Sequence, residues 1–378
     1  MFRLDYIPLN KKFRPTGIIK LREGHQGVSV VDIRPGFTSA MALPVEFLAD
    51  CSNYCRPPLC VQFDSAFVAS VKNGRIFAHD ENNFAIITED NLLIDDLSFQ
   101  WVDSLVPANQ NAVFYTKGFN KPRKYAGKVF SLLTLGAARE YYFHWMFDAI
   151  AKLELVKTGG LFDSIDYFLV PNYSYPFQKE YLSHLNIPEH KIINGSIEDH
   201  VQADTLLVSS NVRQDEHLPS WSCDFFYDNF VREVQPIKRR RRIYIARGDA
   251  ARNRRVKNEG ELINMLRNYG FDILYLTQIP IMDQIKIFNE AELIVAVHGG
   301  GLSNLVFCQA GTTLLEIFPD QYVRHYFHEI CLKRGLAYHY VLCESEKPCD
   351  NHFDGELVNL TADIGAIQRK IDSLMRHV

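Results

Sequence analysis

The sequence predicts an α/β protein with two domains and a β-rich amino-terminal portion. Residues 1–128 contain short apolar or alternating runs, which are typical of β-strands. From residue 129 onward strand patterns alternate with helix patterns, and the alternation becomes more regular after residue 236. A chain of 378 residues that is 47% hydrophobic is long enough for two cores. We therefore expect parallel sheets whose strands are joined by right-handed crossovers.

The N-terminal domain is predicted to cover residues 1–235, with short strands in its first part, residues 1–128. The Asn73-Gly74 pair, which joins two of these strands, is typical of a β-hairpin turn. The strand candidates are Val28–Ile33, Leu59–Phe63, Phe67–Val71, Ile76–His79 and Ala85–Thr88.

The second part of this domain, residues 129–235, should alternate strand and helix up to a boundary at Gln235-Pro236. The predicted elements are a strand at Val129–Leu135, a helix at Tyr141–Lys157, a strand at Asp166–Val170, a helix at Pro176–Leu185, a strand at Thr205–Ser209 and a helix at Ser222–Val234.

The second domain is predicted to cover residues 236–355 and to continue the alternation. Asn258 should cap the helix that follows it, because Asn258-Glu259-Gly260-Glu261 has the form of a capping box. A last helix in residues 356–378 should begin near Ala362 with Thr361 as its N-cap. The elements between are strands at Ile243–Ala246, Asp272–Leu276, Leu293–Val297 and Leu314–Phe318, and helices at Glu259–Tyr269, Ile281–Asn289 and Leu302–Cys308.

The composition argues against several classes of protein. A net charge of −4 gives no general affinity for nucleic acid or anionic membrane. The sequence lacks an apolar signal segment and a span-length apolar run, so we expect a cytoplasmic protein. The basic run Lys238–Arg242 is expected to be a solvated surface, with peripheral contact to anionic lipid or a partner as the alternative. The eight cysteines match no zinc spacing and are expected to be reduced thiols.

A glycine-rich turn is the most informative segment. The apolar strand Leu293–Val297 stops at His298-Gly299-Gly300-Gly301, and a helix is predicted to follow. Glycines between a strand and a helix let a ligand approach the backbone, and the first N–H groups of the helix favour an anion. We interpret the turn as a site for the diphosphate of a nucleotide. A tight strand–helix turn without a ligand is the alternative.

Several side chains are predicted to reach the same edge of the sheet, because ligands collect at the carboxyl ends of parallel strands. Arg247 and Arg255 follow the first strand of this domain and are candidates for binding phosphate oxygens. Glu316 lies near the end of its strand and is a candidate for the ribose hydroxyls, or else a buried carboxylate paired with an arginine. The remaining candidates are Thr277 and Gln278 for the base, and His298 and Asn304 for the ligand or for support of the turn.

The N-terminal domain has its own candidate site in the sequence Glu140-Tyr141-Tyr142-Phe143-His144-Trp145-Met146-Phe147-Asp148. His144 and Asp148 are four residues apart and share one face of a helix. Either could remove a proton from a sugar hydroxyl, and Asp148 is slightly favoured. The alternative is a structural hydrogen bond in a core helix. The sequence contains no HExxH, GxSxG or Walker A pattern, which argues against a zinc protease, a serine hydrolase and a P-loop enzyme.

These motifs together resemble a known family. The segments YYFHWMFDAIAKL, RRIYIARGDAARNRRVKNEGEL and DQIKIFNEAELIVAVHGGGLSNLVFCQAGTTLLEIFP occur in the order found in glycosyltransferase family 61. The resemblance extends over about residues 65–345 and is closest to bacterial members grouped with capsular polysaccharide biosynthesis proteins. The family usually has HGAGLTN where this chain has His298 to Asn304, HGGGLSN.

The resemblance implies a GT-B architecture, in which two Rossmann-like domains face a central cleft, with the last helix packing back on the N-terminal domain. It implies an inverting transfer from a nucleotide-sugar, most often UDP-linked, to a glycan or lipid-linked glycan acceptor, in bacterial surface polysaccharide synthesis. The donor would lie on the second domain and the acceptor on the first, near His144 and Asp148. No metal or other cofactor is expected, and no nucleic acid.

Two other functions are compatible with the sequence. A nucleotide-sugar epimerase on the same scaffold would isomerise the donor alone, without an acceptor. A non-catalytic carbohydrate- or nucleotide-binding protein would bind the nucleotide without turnover. The occurrence of both the HWMFD and the HGGGLSN motifs argues against a protein that only binds.

Overall fold

A computed structural model of the chain describes residues 11–50, 58–80, 82–102, 104–116, 119–134, 136–231, 238–248 and 254–376. It is a mixed α/β protein that divides into two compact units. The described residues of 1–37 and 63–212 form the first unit, and those of 38–62 and 213–378 form the second. These units differ from the predicted domains, because residues 38–62 and the helix after residue 213 belong to the second unit. The predicted boundary, Gln235-Pro236, lies outside the described residues.

The predicted strands are present, with bounds that shift by a few residues, and the described residues contain further strands that the sequence did not predict. In chain order the strands are β1 (Gly17–Ile19), β2 (Val28–Arg34), β3 (Phe37–Ala40), β4 (Cys60–Phe63), β5 (Ala66–Lys72), β6 (Arg75–Asp80), β7 (Asn83–Ile87), β8 (Leu92–Ile94), β9 (Phe99–Val102), β10 (Ser104–Leu105), β11 (Arg123–Ser131), β12 (Tyr167–Val170), β13 (Ile192–Asn194), β14 (His200–Ser209), β15 (Arg241–Ile245), β16 (Phe271–Leu274), β17 (Ala291–Val297), β18 (Thr313–Pro319), β19 (Ala337–Ser345) and β20 (Leu360–Thr361).

The predicted α-helices are present as well, except at Leu302–Cys308, and the described residues contain three that the sequence did not predict. In chain order the α-helices are α1 (Val45–Asp50), α2 (Tyr142–His144), α3 (Leu153–Thr158), α4 (Pro176–His184), α5 (Ser220–Phe230), α6 (Glu259–Asn268), α7 (Ile281–Asn289), α8 (Tyr326–Arg334), α9 (His352–Leu357) and α10 (Ile364–Met375). Between α2 and α3 the chain stays helical, as a π-helical segment at Trp145–Ala149 followed by a 3₁₀ turn at Ile150–Lys152. The predicted helix Tyr141–Lys157 is therefore present but irregular.

The first unit contains a mixed sheet with a parallel part. The strands β14, β11, β12 and β13 are neighbours in that order and run parallel to one another. Because β11 comes first in the chain and its neighbours lie on both sides, the order reverses between β11 and β14. In doubly wound sheets this reversal marks the place where ligands bind. The helical segment 142–158 connects β11 to β12 and begins near this place.

The predicted hairpin at Asn73-Gly74 is wrong. The two strands that it joins, β5 and β6, do not pair with each other. Both run antiparallel to β14, β5 along Thr205–Ser209 and β6 along His200–Gln202. Asn73 has a φ of 48° and its N–H bonds to the carbonyl of Asp204. The pair therefore forms an irregularity between two strands that continue in the same direction.

The second unit contains a six-stranded sheet in the order β16-β15-β17-β18-β19-β20. The first five strands are parallel and β20 is antiparallel to β19. The first strand in the chain, β15, lies between β16 and β17, so the order reverses there. Apolar residues such as Val295 and Leu315 are fully buried, because a parallel sheet is covered by helices on both faces.

The last helix packs in the core of the second unit, whereas the sequence assigned it to the N-terminal domain. Ile367 and Ile371 of α10 lie in the core of the second unit with Leu262 and Leu266 of α6. Full burial of each isoleucine contributes roughly 1.5–3 kcal/mol, which fixes α10 to this unit.

Two predicted caps are also wrong. Asp363, rather than Thr361, caps α10 by accepting the N–H of Ala366. Asn258 makes no side-chain cap, because its amide bonds to both backbone groups of Ala362.

Within the described residues, no helix is long and apolar enough to cross a membrane. The described part of the basic run is partly neutralised by acidic side chains. Arg241 pairs with Asp272 and Glu290, and Arg242 pairs with Glu292. This pairing lowers the positive charge that the run offers to a lipid surface. Six cysteines fall within the described residues and all are free thiols, whereas Cys51 and Cys55 lie outside them.

Candidate functional site

The loops after β15 and β17 meet where the strand order of the second unit reverses. Arg247 follows β15, and His298-Gly299-Gly300-Gly301 follows β17. The side chain of Glu259 at the start of α6 fixes the first loop by accepting the N–H of Arg247 at 2.6 Å. The structure therefore brings Arg247 and the glycine turn together, as the sequence predicts.

The glycine turn is a close approach of two chain segments. A Cβ atom at Gly299 would lie 2.7 Å from Nη1 of Arg247, and one at Gly301 would lie 2.7 Å from Cδ1 of Leu276. The helix that follows is a 3₁₀ helix, Gly300–Phe307, rather than the predicted helix beginning at Leu302. The absence of side chains at Gly299 and Gly301 thus leaves the space that the Arg247 guanidinium and the Leu276 side chain occupy.

His298 forms a buried hydrogen-bonded chain with Glu316. Nδ1 of His298 lies 2.6 Å from Oε1 of Glu316, and the hydroxyl of Tyr338 donates to Oε2 at 2.7 Å. Glu316 is 0% exposed. Both oxygens of Glu316 are engaged and none of its side chain reaches the surface, which supports the alternative of a buried carboxylate, with His298 and Tyr338 rather than an arginine as its hydrogen-bond partners. This hydrogen bond holds the imidazole of His298 with Nδ1 toward Glu316.

Burial and nearby cations set the protonation of this pair. Burial lowers the pKa of His298 well below its usual value, and the charges of Arg254, Arg324 and Arg247 lower it further. Burial raises the pKa of Glu316 well above its usual value, against the effects of Tyr338 and Arg254. The imidazole is therefore neutral, and with Nδ1 facing Glu316 its Nε2 is the atom left for a ligand.

Arg254, rather than the predicted Arg255, is the arginine of this loop that bonds to the backbone of His298. Nε of Arg254 donates to the carbonyl of His298 at 2.8 Å, and Nη1 donates to the carbonyl of Glu356 at 2.6 Å. Arg255 has an exposed side chain, and its backbone bonds to Asn359 and Leu360. Arg254 has a φ of 54°, and such an unusual backbone turn could not be assigned to one of two adjacent arginines from the sequence.

Arg324 is a third cation near His298, and sequence reasoning missed it. It follows β18 at the same edge of the sheet and is 4% exposed. Its guanidinium donates to the hydroxyl of Tyr326 at 2.6 Å, lies over the ring of Tyr326 and pairs with Glu216. Its position after a parallel strand was a signal that could have identified it.

The other residues that were predicted to bind the nucleotide ligand fall into two groups. Thr277 and Gln278 are exposed in the turn after β16, at the carboxyl edge of the sheet. Asn304 is 0% exposed and donates to Gln284, whose amide donates to the carbonyls of Leu276 and Ile279. Direct contact between Asn304 and a ligand is thus incompatible with its burial, and Asn304 supports the turn that holds Thr277 and Gln278.

The predicted pair in the first unit is formed. Nδ1 of His144 lies 2.6 Å from Oδ2 of Asp148. The side chain of His144 is 30% exposed, whereas that of Asp148 is 7% exposed. Asp148 lies in the π-helical segment Trp145–Ala149, and such segments are frequent at functional sites. The geometry therefore favours His144 as the proton acceptor and Asp148 as the group that orients it, the reverse of the slight preference for Asp148.

A cavity of about 320 Å³ lies in the first unit. It is lined by Lys152, by the end of β14 at Val208–Asn211, and by the segment Asp95–Gln100. Lys152 is one helical turn beyond Asp148 and donates to the carbonyl of Leu133 at 2.6 Å. Burial lowers the pKa of Lys152 to about 8, against the charge of Asp148. The cavity thus adjoins the helix that carries His144 and Asp148.

Comparison with known proteins identifies what this chain is similar to. Residues 142–315 match the family model described as Glycosyltransferase 61, a range that includes His144, Asp148, Arg247, Arg254 and His298. A β-1,2-xylosyltransferase of Arabidopsis thaliana is 26% identical over 103 residues, which are 27% of this chain and 17% of that protein. The xylan glycosyltransferase MUCI21 of Arabidopsis thaliana is 29% identical over 92 residues, 23% of this chain and 19% of that protein.

The chain therefore aligns with less than a fifth of the length of either relative. The family model and both relatives support a glycosyltransferase of family 61. Bacterial origin and a role in capsule synthesis have no support from these matches.

Proposed function

We propose that this chain is a family 61 glycosyltransferase that moves a sugar from a nucleotide-sugar donor to a hydroxyl of a glycan. The observation that carries the proposal is the convergence of Arg247, Arg254 and Arg324 around His298, beside a glycine turn at the reversal point of the sheet. Guanidinium groups in such a place suit phosphate oxygens.

The donor would bind with its diphosphate between these guanidinium groups and the glycine turn. Nε2 of His298 would contact a phosphate or sugar oxygen, and the exposed turn at Thr277 and Gln278 would meet the base. The arginines would stabilise the charge that develops on the departing diphosphate, so the transfer needs no metal in contact with it. A UDP-linked donor is proposed, with a pentose as one candidate because one of the similar proteins is named a β-1,2-xylosyltransferase.

The acceptor would be activated by His144. Its imidazole takes the proton of the acceptor hydroxyl while Asp148 fixes its orientation. The hydroxyl oxygen forms a bond to the anomeric carbon as the bond from that carbon to the diphosphate oxygen breaks. Attack from the side opposite the leaving group inverts the anomeric configuration. The cavity that Lys152 lines is proposed to hold part of the glycan acceptor.

Three finer points also belong to the proposal. The two units are proposed to form a GT-B enzyme, with the donor site and His144 on opposite walls of a cleft. The reaction is proposed to serve bacterial surface polysaccharide synthesis in the cytoplasm. The acceptor is proposed to be a glycan or a lipid-linked glycan, which would allow peripheral contact with the membrane through Lys238–Arg242.

A binding panel followed by a transfer assay tests the proposal. A ligand that binds the folded state raises the melting temperature, so UDP should raise it more than GDP or CMP. The protein is then incubated with UDP-sugars, with and without oligosaccharide acceptors, and products are identified by mass spectrometry. Transfer that requires an acceptor supports the proposal.

The same experiment separates the two rivals. Isomerised sugar from donor alone would indicate an epimerase. Tight UDP binding with neither isomerisation nor transfer would indicate a protein that only binds nucleotide.

A further inference from the structure

A buried group of two histidines and one glutamate lies in the second unit, beside the start of α8. It consists of His217, His325 and Glu329, each at most 3% exposed, and we call it the His217 cluster. One ligand atom from each side chain lies within 4.8 Å of the others. The rings of His217 and His325 are 4.8 Å apart, and Nδ1 of His217 lies 3.2 Å from Oε1 of Glu329. Neither histidine belongs to the proposed donor or acceptor chemistry.

The ring nitrogens of this cluster are unusual for a protein interior. Neither nitrogen of His325 has a hydrogen-bond partner among the residues that the structure describes, and the same holds for Nε2 of His217. A buried polar atom left unsatisfied costs about 1–3 kcal/mol, so native proteins rarely keep several in one place. Ring nitrogens without a hydrogen-bond partner beside a carboxylate are donor groups that bind a transition-metal ion.

We propose that His217, His325 and Glu329 bind one divalent transition-metal ion, for which zinc is the best match. Two imidazole nitrogens and a carboxylate oxygen are a common ligand set for zinc, and three protein ligands leave one tetrahedral position for water. Ligand atoms on a zinc ion lie about 2.0–2.2 Å from the metal, so small side-chain rotations bring these three onto one ion. Oxygen-preferring Mg²⁺ and Ca²⁺ suit this set less well.

A neighbouring lysine competes with the ion. Nζ of Lys333 lies 3.1 Å from Oε1 of Glu329, and the N–H of Leu218 also donates to this carboxylate. Lys333 neutralises Glu329 when no ion is bound. The ion takes over this role, so removal of the ammonium group should tighten metal binding. If Lys333 and Glu329 form only a structural ion pair, removal of the ammonium group should destabilise the fold and should not tighten metal binding.

The ion would have a structural consequence. His217 lies before α5 and His325 lies directly before α8, so one ion ties two distant chain segments together. His325 is adjacent to Arg324, and a metal bond at His325 fixes the backbone that carries this guanidinium.

The experiment measures metal content and metal binding on the full chain without a polyhistidine tag. Inductively coupled plasma mass spectrometry should find about one zinc per chain. After chelation, Co²⁺ should restore one equivalent and give the visible absorption bands of a tetrahedral site, while Mg²⁺ should not compete. His325→Ala and His217→Ala should lose the ion, and His190→Ala, at an exposed histidine of the first unit, should retain it.

Lys333→Met provides a test that does not remove a ligand. It should bind Co²⁺ several-fold more tightly than the wild type. The proposal is overturned if the wild type holds no metal and shows no Co²⁺ spectrum, or if His325→Ala binds Co²⁺ as tightly as the wild type. It is also overturned if Lys333→Met binds more weakly. Because the Co²⁺ spectrum is recorded on the wild type, the test stands even where an alanine variant fails to fold.

Discussion

The two units each contain a histidine–carboxylate pair, and the pairs differ in their surroundings. In both, Nδ1 of the histidine lies 2.6 Å from a carboxylate oxygen. The side chains of His144 and Asp148 are 30% and 7% exposed, whereas those of His298 and Glu316 are 5% and 0% exposed. His298 is also close to three arginines, and it stacks on Phe318 at 5.0 Å.

Under the proposed function, the same hydrogen bond would serve two different tasks. A partly exposed imidazole that a carboxylate orients can exchange a proton with a substrate hydroxyl. An imidazole that is buried, neutral and surrounded by guanidinium groups is suited to hold an anion without exchanging protons. The contrast indicates that a histidine–carboxylate pair alone does not define a general base, because burial and nearby charge determine whether its imidazole can accept a proton.

The largest effect is expected from the first pair. His144→Gln should lower the transfer rate by roughly 10²–10⁴-fold, because the variant lacks the proton acceptor. Binding of UDP, measured by calorimetry, should be unchanged. His184→Gln, at an exposed histidine of α4, is the matched control and should retain full activity. Full transfer by His144→Gln would remove His144 from the mechanism.

The next effect concerns the two adjacent arginines. Arg254→Ala should raise the Kd for UDP by about 10–100-fold, because a hydrogen bond to a charged group contributes about 1.5–3 kcal/mol. Arg255→Ala should change it little, since the Arg255 side chain is exposed and only its backbone N–H and carbonyl are paired, with Asn359 and Leu360. Equal losses in the two variants would contradict the assignment of Arg254 to the donor site.

These residues also show which features of the fold and the site could be predicted from the sequence. Hydrophobic periodicity predicted the parallel strands, the helices between them and the edge at which the glycine turn lies. It could not decide whether Glu316 is buried, because a strand inside a parallel sheet is covered on both faces and shows no alternation. It also could not choose between Arg254 and Arg255.

The wrong hairpin has a related cause. Asn73-Gly74 is a local turn signal, but the pairing partner of both flanking strands is β14, which begins more than a hundred residues later in the chain. Local patterns therefore predicted which segments form strands, whereas pairing and side-chain burial depended on distant residues.

A third effect is a change in acid sensitivity of the second pair. Between pH 4.5 and 6.5 the unfolded chain carries one proton on His298, while the native pair carries one on Glu316, whose pKa is raised. The native and unfolded states therefore bind the same number of protons, so the pair adds no pH dependence to the free energy of unfolding between pH 4.5 and 6.5. In Glu316→Gln the native His298 stays neutral and the glutamine cannot carry the proton that Glu316 carries in the wild type. The native variant therefore binds one proton fewer than its unfolded state below pH 6.5. The free energy of unfolding should therefore fall relative to wild type as pH drops below 6.5, by at most about 1.4 kcal/mol per pH unit.

Urea unfolding at pH 7.5, 6.5 and 5.5 measures this difference. Glu261→Gln, at an exposed carboxylate of α6, is the control and should follow the wild type at each pH. Parallel curves for Glu316→Gln and wild type would show that Glu316 does not take the proton.

The smallest effect is expected at the glycine turn, and it separates ligand binding from folding. Gly299 has a φ of 171°, an extended backbone that any residue adopts, so alanine there causes no backbone strain. Its Cβ would instead meet Nη1 of Arg247 at 2.7 Å and displace the end of a flexible side chain. Gly299→Ala should therefore weaken UDP binding several-fold and leave the melting temperature nearly unchanged. Gly260→Ala is the matched control, since a Cβ there meets nothing within 4 Å. It should add about 0.5–1 kcal/mol of stability to α6 without affecting UDP. Unaltered UDP binding by Gly299→Ala would mean that the Arg247 guanidinium does not hold the diphosphate.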